Sequence, residues 1–187
     1  SKSDSLVTLV TRRAPNPMHV LLNGLRHVPV DDNGQLLDIE ATRRIFEAHD
    51  DIAAVILEPT GASFGQAPVT REFVAELRNI ATEHGVILIF DEVVTGFRVT
   101  PGGAQQHYGI TPDMCSLAKI LSGGLPGGAV TGRADIFELL DFEKAAEKGF
   151  EKIGHQGTFN ANPMSAAAGI AALELIAKGD VCSKATA

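Results

Sequence analysis

The chain has 187 residues, a formal net charge of −7 and 44% hydrophobic residues. These values fit about one globular domain with its own core. The acidic balance without a basic cluster argues against nucleic acid as a partner, and the lack of an 18-residue apolar run argues against a membrane span.

Taken in order, residues 1–35 predict little structure beyond a short strand at 18–22. The rest of the chain alternates between predicted helices and predicted strands. Helical spacing of apolar residues, with Asp38, Thr70 and Asn162 as caps, predicts helices over 38–48, 70–84, 134–140 and 163–178. Apolar runs predict strands over 53–57, 86–90, 114–118 and 129–131. Glycines and prolines predict a loop over 99–112. This order is typical of an α/β fold with a mostly parallel sheet and flanking helices.

The apolar run Val86 to Phe90 predicts a buried strand that ends at Asp91. Ligands of α/β sheets bind at this end of the strands, so Asp91 is a candidate site residue. A carboxylate that caps a neighbouring turn is the alternative. An apolar strand followed by Asp91-Glu92 is also typical of nucleotide hydrolases, but the chain has no GxxxxGK[ST] loop to hold phosphates.

Lys119 lies among Leu117, Ala118, Ile120 and Leu121, just before a glycine-rich turn. A partly desolvated lysine is more readily neutral and nucleophilic. We therefore expect partial burial of Lys119, although a lysine that extends into solvent is the more common arrangement.

Gly157 and Thr158 offer a backbone N–H and a hydroxyl just before a helix. This grouping suits a phosphate, and a simple helix cap is the alternative. The six histidines show no metal-ligand spacing, so no metal site is expected. We interpret all six as ordinary surface or loop residues, with a position of His155 near the site as the less favoured alternative.

Four ordered motifs carry a family resemblance: DEVVTGFR (91–98), GGAQQHYGITPD (102–113), LAKILSGGLPGGAVTGR (117–133) and GTFNANP (157–163). Together they resemble the class III (subgroup II) aminotransferases that depend on pyridoxal 5'-phosphate (PLP), and most closely the glutamate-1-semialdehyde aminomutase-like members. The resemblance implies the large-domain core of the PLP-dependent transferase fold type I. It also implies a homodimer that acts on small-molecule substrates, an amino acid and a keto acid.

The resemblance implies a role for each matching residue. Asp91 pairs with the ring nitrogen of PLP, and Val93 packs against the ring. Lys119 forms the Schiff base and then acts as acid and base. Thr158, with Gly157, binds the phosphate across the dimer interface, and Glu58 lies near the site in a less definite role.

Departures from the family leave two hypotheses. Val94 stands where many members have glutamine. Residues 1–187 are expected to be a partial, truncated large PLP-binding domain, without the upstream phosphate loop or the small C-terminal domain. The chain is then either an aminotransferase or aminomutase that transfers an amino group between an amino acid and a keto acid or aldehyde, or a catalytically incomplete relative that dimerises and binds PLP without turnover. Two scattered cysteines and no signal peptide predict a cytoplasmic protein.

Overall fold

The computed structural model describes residues 7–11, 25–27, 38–60 and 69–186. In that part of the chain one sheet is formed by β1 (Val7–Thr11), β2 (Leu25–His27), β3 (Ile52–Leu57), β4 (Ile87–Asp91), β5 (Met114–Ala118) and β6 (Gly128–Gly132). The helices are α1 (Ile39–Ala48), α2 (Arg71–Glu83), α3 (Gly103–Tyr108), α4 (Ala134–Phe137), α5 (Phe142–Glu147), α6 (Pro163–Ala177) and α7 (Val181–Thr186). Short 3-10 segments follow β5 and α4, at Lys119–Ser122 and Glu138–Leu140.

The sheet has the strand order β2-β1-β3-β4-β5-β6. The α/β architecture is confirmed, but the parallel arrangement is confined to the centre, where β3, β4 and β5 run side by side. The edges are antiparallel. One reason is the link between β5 and β6, residues 119–127, which is shorter than the dozen or so residues that a parallel crossover requires.

One face of the sheet carries the hydrophobic core beneath α1 and α2. Leu88 and Phe90 point into it from β4, and Leu77 meets them from α2; all three are fully buried. The two helices begin at the predicted caps. Asp38 accepts a hydrogen bond from the backbone of Ala41 at 2.9 Å, and Thr70 accepts one from the backbone of residue 73 at 3.2 Å. Each buried aliphatic or aromatic side chain contributes about 2 kcal/mol, so this core fixes β3 and β4.

Two segments differ from the sequence predictions. The predicted loop over 99–112 contains α3. The C-terminal residues, for which no element was predicted, form α7. Both depend on long-range contacts, since α3 is held by the Glu92 side chain and α7 by Arg98, which donates to the carbonyl of Ala185 at 2.9 Å. Strands β1 and β2 lie in the segment for which little structure was predicted, whereas the expected strand at 18–22 falls outside the described residues. No described helix is both long and apolar enough to cross a membrane.

Asp113 holds together the edge of the sheet opposite the carboxyl ends of β4 and β5. Its carboxylate accepts hydrogen bonds from Arg78 at 2.7 Å, from Arg133 at 3.1 Å and from the backbone N–H of Leu88 at 2.8 Å. Burial alone would raise the pKa of Asp113, but these donors outweigh it and hold the pKa below its ordinary value. The folded protein therefore favours the charged form of this side chain.

Asp113→Asn is expected to lower the free energy of unfolding at neutral pH by about 2 kcal/mol, because it removes a buried charged acceptor. The stabilisation by Asp113 is complete above the pKa of the unfolded chain, about 3.9, and is lost as the pH falls from there through the folded pKa. Urea denaturation between pH 2.5 and 7 measures both effects. Asp135→Asn, which breaks an exposed ion pair with Arg133, is the control and should change stability little. Equal losses in the two variants would contradict the prediction.

Candidate active site

The carboxyl ends of the three parallel strands bring three charged side chains to one edge of the sheet. Glu58 follows β3, Asp91 ends β4, and Lys119 follows β5. Leu57 pairs with Phe90, so Glu58 and Asp91 lie level with each other. Asp91 pairs with Ser116, which places Lys119 three residues farther along, about 10 Å at the usual rise of a strand.

Alternation along β4 separates the two adjacent acidic residues. Leu88 and Phe90 face the core, whereas Asp91 is only half-buried and lies on the opposite face. Glu92, one residue later, is again buried, with 1% of its surface exposed. The Asp-Glu pair therefore supplies one carboxylate to the site and one to the interior.

The Asp91 carboxylate is held in place through one oxygen. Its Oδ1 accepts a hydrogen bond from the backbone N–H of Val93 at 3.1 Å and one from the hydroxyl of Ser116 at 3.0 Å. Its Oδ2 has no hydrogen-bond donor within the described part of the chain. The arrangement leaves a fixed, half-buried acceptor directed at the strand ends.

Lys119 is exposed in the single chain, and the expected partial burial of its side chain is therefore wrong for one copy. The reason is its backbone: with φ of 51° it turns the chain out of β5 and into the 3-10 segment, while the neighbouring Ile120 and Leu121 are partly buried in its place. Its amine forms no ion pair with any described residue. A free, accessible amine is thus available at the edge that carries Asp91.

The pKa of Glu58 depends on the charges of Asp91 and Lys119. Burial raises the pKa of Glu58, the negative charge of Asp91 raises it further, and the positive charge of Lys119 lowers it. The net shift is upward. A change of charge at either Asp91 or Lys119 therefore shifts the pKa of Glu58.

The buried Glu92 carboxylate organises the loop beside the site. It accepts hydrogen bonds from the hydroxyl of Thr95 at 3.0 Å, from the backbone of Ala104 at 2.5 Å, and from the backbone and side chain of Gln105 at 3.3 and 3.1 Å. The last three donors lie at the start of α3, so Glu92 caps this helix from a distant part of the chain. Both oxygens of Glu92 are occupied by these hydrogen bonds, so Glu92 is not free to bind a nucleotide-bound metal ion. The second acidic residue that the nucleotide-hydrolase alternative requires is therefore missing from the site.

Gly103→Ala is expected to destabilise the protein by about 3 kcal/mol. Gly103 has φ of 71°, and a Cβ there would overlap the Glu92 carboxylate. Gly109→Ala is a matched control at the other end of α3, because Gly109 has φ of 68° but an added Cβ meets no described atom within 4 Å. Its expected loss is about 1 kcal/mol. Guanidinium denaturation measures both, and similar losses would show that the Glu92 contact contributes nothing.

Cys115 lies next to Ser116 but is not a candidate nucleophile. It is buried, and this burial, together with the nearby charge of Glu92, raises the pKa of its thiol to about 12. A thiol with that pKa is protonated at neutral pH, and the thiolate is the reactive form. Among the described residues, the amine of Lys119 is the candidate nucleophile at this edge of the sheet.

Comparison with known proteins identifies the family. A family model described as aminotransferase class-III matches residues 1–187. The chain belongs to the class III aminotransferases. Glutamate-1-semialdehyde 2,1-aminomutase of Rhodopirellula baltica is 48% identical over 140 residues, which are 74% of this chain and 30% of that protein. The enzyme of the same name from Methanococcoides burtonii is 42% identical over 148 residues, 79% of this chain and 33% of that protein.

Solved structures of transaminases share the fold. An omega-transaminase from Sphaerobacter thermophilus matches with a TM-score of 0.65 and 39% identity, over 74% of this chain and 31% of its own. A transaminase with PLP bound matches with a TM-score of 0.65 and 34% identity, over 74% of this chain and 32% of its own. This class III chain thus spans about a third of the length of the relatives it matches.

The structure brings only one of the other predicted site residues into contact with Asp91. The Val93 backbone contacts Asp91. Gly157 and Thr158 belong to an exposed loop, where the carbonyl of Gly157 accepts a hydrogen bond from Asn160 at 3.0 Å. No described contact links Thr158 to Asp91 or Lys119 within one copy of the chain. His155, in the same loop, lines two cavities of 560 and 690 Å³, and both are also lined by Gly128 and Asn160.

Sequence reasoning missed two residues that support the site: Ser116, which contacts Asp91, and the buried Glu92, which organises the adjacent loop. Ser116 donates to Asp91 because the register of β4 and β5 pairs them. Glu92 caps α3 by accepting from the backbone of Ala104, twelve residues away. For Ser116 a signal was present: once two parallel strands are predicted, the polar residue of the second strand closest to the carboxylate of the first is a candidate donor. For Glu92 the sequence holds no comparable signal.

Proposed function

We propose that the chain is the cofactor-binding part of a PLP-dependent aminotransferase or aminomutase, and that residues 1–187 form part of its large domain. The observation that carries the proposal is the shared sheet edge, with Asp91 offering a fixed free oxygen and Lys119 a free amine. Family membership and the likeness to a transaminase with PLP bound support the cofactor.

The residues present fit PLP by their chemistry. Asp91, whose Oδ2 accepts no described hydrogen bond, suits a protonated ring nitrogen, because a half-buried carboxylate needs a compensating positive charge. Lys119 supplies the amine that attacks an aldehyde carbon. Val93 is proposed to pack against the ring, and Gly157 and Thr158 of a partner subunit are proposed to hold the phosphate. When bound, PLP supplies an aldehyde that exchanges between amines and a ring that accepts electrons.

Three side chains of this protein are proposed to take separate roles in proton transfer. Lys119 is the group that moves a proton on the substrate side, since its amine is accessible and unpaired among the described residues. Asp91 holds a proton at the ring nitrogen. Glu58, whose pKa is raised by burial and by Asp91, is proposed to adjust the charge of the site as Lys119 gains or loses its own.

The proposed substrates are small molecules, an amino acid as donor and a keto acid or aldehyde as acceptor. The relatives named above, glutamate-1-semialdehyde 2,1-aminomutases, favour this class. We place the reaction in the cytoplasm, because Cys115 and Cys182 are both unpaired, as is usual in reducing compartments.

A homodimer is part of the same proposal. Helix α6 is apolar on all sides, yet Met164, Ile170 and Leu175 are 71%, 60% and 55% exposed in the single chain. Helices of this composition are usually buried, so we propose that a second copy covers α6. Sedimentation equilibrium of the wild type and of Ile170→Glu tests this: a dimer that the substitution dissociates supports it, and a monomeric wild type contradicts it.

A catalytically incomplete relative is the second candidate. The exposure of Lys119 favours it, because an amine open to water lacks the dry surroundings that speed such reactions. Titrating the protein with PLP separates the candidates. A visible absorbance band that an amino donor bleaches supports transfer, and a band that persists supports binding without turnover. No band at any PLP concentration would overturn both.

A further inference from the structure

The hydroxyl of Ser116, on β5, contacts the site carboxylate. Ser116 pairs with Asp91 in β4 on one side and with Val130 in β6 on the other. Its Oγ donates to Oδ1 of Asp91 at 3.0 Å. The residue is half-buried, and it lines a 560 Å³ cavity along β5 and β6.

Two donors on different elements hold the same oxygen of Asp91. The backbone N–H of Val93 belongs to the turn after β4, and the hydroxyl of Ser116 belongs to the next strand. A single donor lets a carboxylate rotate about its Cβ–Cγ bond, whereas two donors on separate elements fix its plane. The second oxygen then has one defined direction.

We propose that Ser116 is a positioning residue, which fixes the Asp91 carboxylate so that Oδ2 meets the ring nitrogen of the cofactor. The inference rests on the proposed function and adds a residue to it. Ser116 touches neither the ring nor the substrate. It acts only through Asp91, and therefore only on interactions that involve the ring nitrogen.

The main-chain contacts of Ser116 are independent of its hydroxyl. Its carbonyl accepts the N–H of Glu92 at 3.0 Å, and its ladder bonds to β4 and β6 are backbone bonds. Ser116→Ala thus removes one hydroxyl and leaves the strand in place. Ser116→Thr keeps a hydroxyl on the same carbon and suits a strand better still.

The test compares two probes in binding calorimetry: PLP and an analogue in which carbon replaces the ring nitrogen. For Ser116→Ala we expect PLP to bind about tenfold more weakly, the effect of losing one hydrogen bond to a charged group, with the analogue unaffected. Ser116→Thr should restore PLP binding. A purely structural role would weaken both probes alike.

The outcomes separate the inference from the function on which it rests. A loss confined to PLP and rescued by threonine supports the positioning role. No loss, or an equal loss for both probes, overturns the positioning role while the proposed function stands. A wild-type protein that binds PLP no better than the analogue, or binds neither, overturns the proposed contact between Asp91 and the ring nitrogen, and the positioning role with it.

Discussion

Replacing Lys119 by alanine is expected to abolish covalent attachment of PLP to the protein. Lys119 supplies an accessible amine at the carboxyl ends of the parallel strands, and methyl in its place leaves no nucleophile there. The visible absorbance band formed with wild-type protein should disappear. After borohydride reduction, mass spectrometry should find PLP on the peptide that contains Lys119 in the wild type and on no peptide of the variant.

Lys178→Ala is the matched control for this experiment. Lys178 is also exposed but lies at the end of α6, away from the strand ends, so its loss should change neither the band nor the labelled peptide. If the Lys119 variant kept the absorbance band, or if the reduced PLP in the wild type were found on Lys178, another lysine would be the nucleophile. The proposed site would then be wrong.

The parts of the fold that local signals determine were predictable from the sequence. The predicted strand over 114–118 and the helix that begins at Pro163 agree with β5 and α6. Their signals are short-range: an apolar run in one case, and in the other an asparagine cap whose side chain accepts from the backbone of Met164 at 3.0 Å. The positions of Asp91 and Lys119 at strand ends follow from the same runs.

Helix α3 was missed because its stability comes from elsewhere in the chain. Its sequence begins with glycines, and Gly102 makes no side-chain cap. The buried carboxylate of Glu92 caps the helix instead, by accepting a hydrogen bond from the backbone of Ala104. Glu92 reaches the start of α3 only once the sheet has folded. A tertiary contact thus overrides a composition that by itself predicts a loop.

The expected burial of Lys119 failed for a related reason. Apolar neighbours in sequence indicate a buried residue only when the backbone continues in one conformation. Here β5 ends at Ala118, and the positive φ of Lys119 sends Ile120 inward while the lysine stays in solvent. In the proposed assembly a second chain near the strand ends would supply the missing cover.

Asp91→Ala is expected to slow the reaction with an amino donor by about a thousandfold, the usual scale for removing a group that stabilises developing charge. Asp91 is proposed to hold a proton at the ring nitrogen, and without it that proton is lost to water. Lys119 is unchanged in this variant, so the visible PLP band should still form. The rate at which an amino donor bleaches the band is the measurement.

Asp91→Asn distinguishes charge from shape. The amide keeps the volume of the side chain and an oxygen that accepts from Ser116 and Val93, but it carries no negative charge to hold a proton. We therefore expect Asn to be nearly as slow as Ala, with thermal stability closer to the wild type. Bleaching at the wild-type rate in either variant would show that the carboxylate has only a structural role. Its hydrogen bonds to Val93 and Ser116 would then serve only to cap the turn after β4.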